Sequence, residues 1–315
     1  MAAILLAGCQ RQLNPTIAVI ARTSGSMISE SEHGGAMAAA DPENARIYWN
    51  APTREDDIQG QIAMVERVTH GSAQGLVLFP DQTSALISPV RSALAHGIPT
   101  VIISSPLAMP PGDHLFYLLN DEEEGGELGA GRVSSILHNH GKIAILGIDP
   151  DISGIMTRAR SLEETLARTD PGIQIVTNAI GSSNVPHEQQ MADETLKAHP
   201  DLDVIVALTA ISGHGALSAL ASSGNTHVKV ICYDPNDTSF DDPSLDSIIL
   251  QDTRSMGHEA VRIVLACLRD QPIPPQRKFE PVLVTRENIS APEVQRMSSM
   301  VWRTKPLQWT WSIGP

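Results

Sequence analysis

The chain has 315 residues, 42% hydrophobic and 18% charged, which supplies apolar material for one to three packed domains and excludes a disordered protein. Its formal net charge of −14 offers no basic face to nucleic-acid phosphates, and aromatics at 3% give no stacking platform for single strands. The three cysteines stand in no CxxC or Cys/His spacing, which argues against a structural zinc.

The first feature along the chain is Leu6-Ala7-Gly8-Cys9, at the end of a short apolar run. It resembles the lipobox at which bacterial lipoproteins are cleaved and acylated on the cysteine. Residues 1–15 therefore read as the tail of an export signal and a linker, with Cys9 as the lipidation site. The run is too short to span a bilayer, and no later stretch is long and apolar enough to do so. A membrane is expected to be reached only through the lipid anchor.

Residues 16–21 (TIAVIA), 46–49, 75–79 (GLVLF) and 100–104 (TVIIS) are apolar strands. Between them lie a helix near 28–40 and two segments with apolar residues at helical spacing, Ile58-Ile62-Val65-Val68 and Leu86-Val90-Leu94. These runs are continuous rather than alternating, as in a parallel sheet covered on both faces. The pattern then begins again, with strands at 142–146 (KIAIL), 173–176, 204–208 (VIVAL) and 228–233 (VKVICY). Segments 247–250, 261–268 and 281–285 are too few for a third domain and read as crossings back between lobes.

The expected fold is α/β, with two doubly wound parallel-sheet lobes. The first lobe is assigned residues 16–119 plus 252–281, the second 120–251 plus 282–292, and 293–315 a tail carrying Trp302, Trp309 and Trp311 without periodicity. In open α/β sheets ligands bind beyond the carboxyl ends of the strands. That rule selects the loops at 23–29, 49–52, 104–107, 209–212 and 234–237 and the region before Arg158, which would line one shared cleft.

Several pieces, in order and spacing, carry a resemblance: IAVIARTSGSMISESEHGGA, QGLVLFPDQTSALISPVRSALAHGIPTVIIS, LNDEEEGGELGAG, VKVICYDPND, SIILQDTRSMGHEAV and PVLVTRENIS. Over residues 16–290 the chain resembles the type I periplasmic sugar-binding proteins, the ribose-binding-like group that shares its core with the effector domain of LacI-type repressors. The resemblance implies a three-strand hinge and closure of the lobes on a ligand. It places Arg158 where an arginine reaches ligand oxygens with a fork of donors. Asp234 falls where a carboxylate accepts from ligand hydroxyls, and Gln251 at the hinge where an amide both donates and accepts.

Elsewhere the residues depart from the ribose-type pattern. Ser26, Ile28 and Ser29 stand where that group has an asparagine and two phenylalanines. Ser104-Ser105 replaces an Asp-Arg pair, and Thr209-Ala210 an Asn-Asp pair. Trp49 is the candidate for a stacking face in place of the missing phenylalanines. These exchanges point away from ribose itself and leave hydroxyls that suit a polyol, so Ser26, Ser104, Ser105 and Thr209 join the expected ligand set.

Other features have plainer readings. The acidic run 121–124 suits the first turn of a helix, where carboxylates complement the dipole. His138 and His140 read as helix-end residues, and Cys232 and Cys267 as free thiols on different lobes. No G-x-S-x-G, HExxH or phosphate-loop motif is present, and neither a catalytic role, a metal nor a cofactor is expected. The implied function is a monomeric, lipid-anchored solute-binding protein of the cell envelope, delivering a monosaccharide or similar small polar ligand to an ABC permease. The alternative is a periplasmic sensor that partners a receptor kinase or chemoreceptor.

Overall fold

The computed structural model describes residues 14–299 apart from 55, 113 and 235–239. Cys9 and the tryptophans of the tail lie outside the described residues. The first half runs β1 (Thr16–Ile20), α1 (Met27–Ala40), β2 (Arg46–Asn50), α2 (Ile58–Thr69), β3 (Gly75–Leu78), α3 (Ile87–Ala95), β4 (Thr100–Ser104) and β5 (Leu115–Asn120). The second runs α4 (Glu122–Leu137), β6 (Gly141–Ile148), α5 (Ser153–Thr169), β7 (Ile173–Ile180), α6 (Val185–Ala198), β8 (Val204–Ala207), α7 (Ala210–Ser223), β9 (Lys229–Tyr233) and β10 (Leu245–Leu250). The described residues end with α8 (Thr253–Cys267), β11 (Gln276–Phe279), β12 (Val282–Val284) and α9 (Pro292–Met297).

Two six-stranded sheets result, ordered β11-β5-β4-β3-β1-β2 and β12-β10-β9-β8-β6-β7. All pairings are parallel except β10 with β12. Strands β3, β4 and β8 are buried at every residue because helices cover both faces of each sheet. Each lobe accordingly has two core layers. In the first, α1 and α8 cover one face, and α2 and α3 the other. In the second, α4 and α5 cover one face, and α6 and α7 the other.

The chain crosses between lobes three times, at β5–α4, β10–α8 and β11–β12. Two strands escape the sequence pattern. β11 reads QRKF, with only its last residue apolar, and joins the sheet edge against β5. β5 itself (LFYLLN) lies behind a Pro- and Gly-rich turn and runs directly into the acidic residues that open α4.

Helices α1 and α8 pack almost backbone to backbone. A Cβ on Gly35 would fall 1.9 Å from the Arg254 carbonyl oxygen, and one on Gly257 2.2 Å from that of Glu32. Glu32 is wholly buried there, and neither carboxylate oxygen has a hydrogen-bond partner among the described residues. Burial pushes its carboxyl up to about 8. After β12 the chain returns to the hinge: Val294 and Met297 enter the second lobe's core, and Arg296 Nη2 pairs with Asp252 Oδ2 at 2.9 Å, at the N-cap of α8.

Candidate functional site

The carboxyl ends of β1, β3 and β4 face those of β6, β8 and β9 across a cleft of about 330 Å³. The lobes also touch at its rim. Thr83 N–H donates to the Asp151 carbonyl at 3.2 Å, and Gln82 Nε2 to Asp151 Oδ2 at 3.4 Å.

The cleft floor is a buried charged cluster centred on Arg158, in the second turn of α5. Its Nε donates to Glu122 Oε2 at 2.8 Å and its Nη1 to the Leu208 carbonyl at 2.7 Å. Nη2 lies 3.9 Å from Asp234 Oδ2, and the guanidinium carbon sits 4.4 Å from the centre of the Tyr233 ring. Burial works against the charge of Arg158, but Glu122 and Asp234 outweigh it, so its pKa stays above the ordinary value.

Asp234 follows β9 with φ of 46°, a left-handed conformation that aspartate tolerates better than most residues. One carboxylate oxygen accepts the Gln251 N–H at 2.8 Å; burial lifts the group to about 7, against the pull of Arg158. The Gln251 side chain donates to Glu122 Oε1 at 3.1 Å and accepts from Asn120. Asn120 also donates to Ser104 Oγ at 2.7 Å. Arg158, Asp234, Gln251 and Ser104 thus belong to one hydrogen-bonded network.

The opposite side carries a second ion pair. Arg22, just past β1, donates through Nε to Asp81 Oδ1 at 2.9 Å. Its Nη groups make no hydrogen bond to the described residues. Burial raises the Asp81 pKa, Arg22 pulls it back, and the nearby Asp56 and Asp149 raise it further. Phe79, Ile152, Ile155 and Leu208 give the cleft its apolar walls.

The hydroxyls expected to meet ligand line the cleft, yet most have local duties. Ser26 caps α1, its Oγ accepting from Ser29 N–H at 3.2 Å. Thr209 caps α7 in a reciprocal capping box with Ser212. Ser105 faces the start of α5, where its Oγ would lie 2.9 Å from a Cβ on Gly154.

Trp49 departs from expectation: it is absent from the cleft lining. Its ring stacks on His33 with centroids 4.2 Å apart and planes 6° from parallel. The reason is strand alternation. Trp49 lies within β2 and turns its side chain onto the layer under α1, whereas the cleft is reached by residues beyond a strand's end.

Glu122, Asn120, Arg22 and Asp81 were not among the expected site residues. Glu122 does occupy a helix first turn, with Asp121 as N-cap, but it is also the closest carboxylate to Arg158. The signal that could have found Asn120 and Glu122 is their place at the end of a parallel strand, β5, which the apolar pattern did not mark.

The molecule is similar to known proteins over most of its length. An ABC transporter solute-binding protein from Agrobacterium vitis, solved with bound D-fucose, superposes with a TM-score of 0.82 at 25% identity, covering 89% of this chain and 99% of that one. The ribose import binding protein of Bacillus subtilis is 26% identical over 64% of this chain, and a xylitol-binding protein of Mycolicibacterium smegmatis is 25% identical over 69%. The aligned stretches span less than two thirds of those two relatives, 66% and 61%. The profile of the periplasmic binding protein domain matches residues 17–272, and the chain belongs to that family.

Proposed function

We propose that this chain is the solute-binding component of an ABC importer and closes its two lobes on a neutral, polyhydroxylated ligand, a monosaccharide or sugar alcohol. The observation that carries this reading is the buried Arg158–Glu122–Asp234–Gln251 network on the cleft floor. It offers carboxylate and amide groups to hydroxyls, which both donate and accept. Names of relatives support the ligand class, since they include ribose, xylitol and D-fucose binders.

The charge balance supports a neutral ligand over an acidic one. Six carboxyl groups line the cleft (Asp56, Asp81, Glu122, Asp149, Asp151 and Asp234) against two guanidiniums, Arg22 and Arg158. Both guanidiniums already face carboxylates, so a sugar acid would meet uncompensated like charge. Phe79 is the only aromatic among the described lining residues, so recognition rests on hydrogen bonds more than on ring stacking.

In this reading the ligand meets groups from both lobes only in the closed form, and binding shifts the population toward it. Acylation of Cys9 would hold the protein at the outer face of the cytoplasmic membrane; the support is the LAGC motif. A thermal-shift panel of neutral pentoses, hexoses and sugar alcohols tests the ligand class. At least one should raise the melting temperature in proportion to the logarithm of its concentration. A flat response across the panel would overturn the sugar reading.

A further inference from the structure

Helix α5 carries Arg158 to the cleft floor, yet its N-terminus is not capped by its own side chain. Its N-cap position is Ile152, which has no side-chain acceptor, whereas α1, α4, α7 and α8 are capped by Ser26, Asp121, Thr209 and Asp252. The first amide of α5 is nevertheless bonded. Ser153 N–H donates to Thr83 Oγ1 at 3.2 Å, and Thr83 belongs to the other lobe, in the loop after β3. The Thr83 hydroxyl donates in turn toward Ser153 Oγ at 3.4 Å, and its amide donates to the Asp151 carbonyl at 3.2 Å. On its own lobe the Thr83 carbonyl is held by the Ala108 N–H at 2.9 Å, which fixes the loop that presents it.

We infer that Thr83 is a cross-lobe cap for α5: the helix that positions Arg158 obtains its N-terminal acceptor only when the lobes are closed. Helix amides without an acceptor are costly, and a serine, threonine or similar cap relieves them. Here that relief is available in one of two conformations, so it biases the open–closed equilibrium by its own worth, with or without ligand. Thr83 does not line the cleft and is a positioning residue, not a ligand contact. Its hydroxyl sets how much of the protein is competent to hold ligand, and apparent affinity scales with that fraction. The inference rests on the lobe closure proposed above and is independent of the ligand class.

The test compares Thr83→Val, which keeps the shape and removes the hydroxyl, with Thr83→Ser, which keeps the hydroxyl. Both are measured without added sugar, by hydrogen exchange of peptides spanning residues 150–158 and by small-angle X-ray scattering. Loss of the cap should lower the closed-to-open ratio about fivefold, equivalent to ~1 kcal/mol at about 1.4 kcal/mol per tenfold. Exchange at the start of α5 should therefore quicken about fivefold in Thr83→Val, with scattering moved toward a more extended particle, while Thr83→Ser stays near the parent. Three outcomes would overturn the inference: unchanged exchange in Thr83→Val, equal behaviour of the valine and serine variants, or a parent protein whose scattering is that of a fully open form. Each leaves the ligand class to be decided by the sugar panel.

Discussion

Two arginines line the cleft from opposite lobes, and they are held in opposite ways. Arg158 is sunk in the second lobe with its side chain 6% exposed, bonded to Glu122 and the Leu208 carbonyl and facing Asp234. Arg22 sits on the first lobe with its side chain 20% exposed and, among the described residues, gives a single bond, through Nε, to Asp81. A fork of donors is useful to a ligand only where it is not already spent. The comparison assigns Arg158 a building role, organising the carboxylates of the floor, and leaves Arg22 with the freer guanidinium. Position in a family pattern locates a residue, and its partners decide what it has left to offer.

The sharpest way to break this contrast is to remove Arg158. Arg158→Met leaves Glu122 and Asp234 buried without their cation, and loss of one partner of a buried pair typically costs ~3 kcal/mol or more. Urea unfolding should show that loss without any ligand present, and a variant as stable as the parent would show that the floor does not depend on Arg158. Asp234→Asn is the complementary change, because it keeps the shape and tolerates the positive φ while removing the charge. Titration calorimetry above pH 8, where Asp234 is ionised, with the best sugar of the panel should show a loss of about tenfold to a hundredfold, the worth of hydrogen bonds to a charged acceptor. Undiminished affinity would take Asp234 out of the binding surface.

A smaller effect is expected on the other lobe. Arg22→Gln should weaken the same sugar about fivefold while moving the unfolding midpoint little, since its exposed donors contribute like ordinary hydrogen bonds. If instead it destabilises the fold as much as Arg158→Met, the two arginines do not differ as described.

A further test uses pH. Asp234 in the folded protein titrates at about 7, well above its ordinary value, because of burial. The folded state therefore binds an extra proton between these two values, and this contribution to stability is present at low pH and lost as pH rises toward about 7. Glu32, raised to about 8 by burial, acts in the same direction. Unfolding free energy of the parent should slope downward from pH 4 to 8, less steeply in Asp234→Asn or Glu32→Gln. Parallel slopes in parent and variants would refute both assignments.

Much of the fold was legible in the sequence because fully covered parallel strands are continuous apolar runs bounded by turns. The strands that were not legible lacked that signature: β11 is polar, and β5 gives way at once to the acidic start of α4. The site was legible only as positions. The rule that ligand loops follow strand ends selected the loop of Asp234 and the region before Arg158, and the family resemblance added Gln251 at the hinge. It could not show that Glu122, 36 residues before Arg158, would be its partner, because that contact exists only once α4 and α5 pack. Ser26 and Thr209 illustrate the reverse limit. Their hydroxyls are where a ligand could be, but their nearest obligation is to a helix terminus. Trp49 has the right chemistry for a sugar ring on the wrong part of a strand.

The most direct test of a cleft built for neutral hydroxylated ligands is a matched titration. The neutral sugar that gives the largest thermal shift would be titrated calorimetrically beside its own acid, with ring and remaining hydroxyls unchanged. The cleft described here should bind the neutral sugar and hold the acid at least tenfold more weakly, because carboxylates outnumber guanidiniums along its walls. Equal or tighter binding of the acid would contradict the account, since Arg22 and Arg158 would then outweigh the six carboxyl groups along the walls.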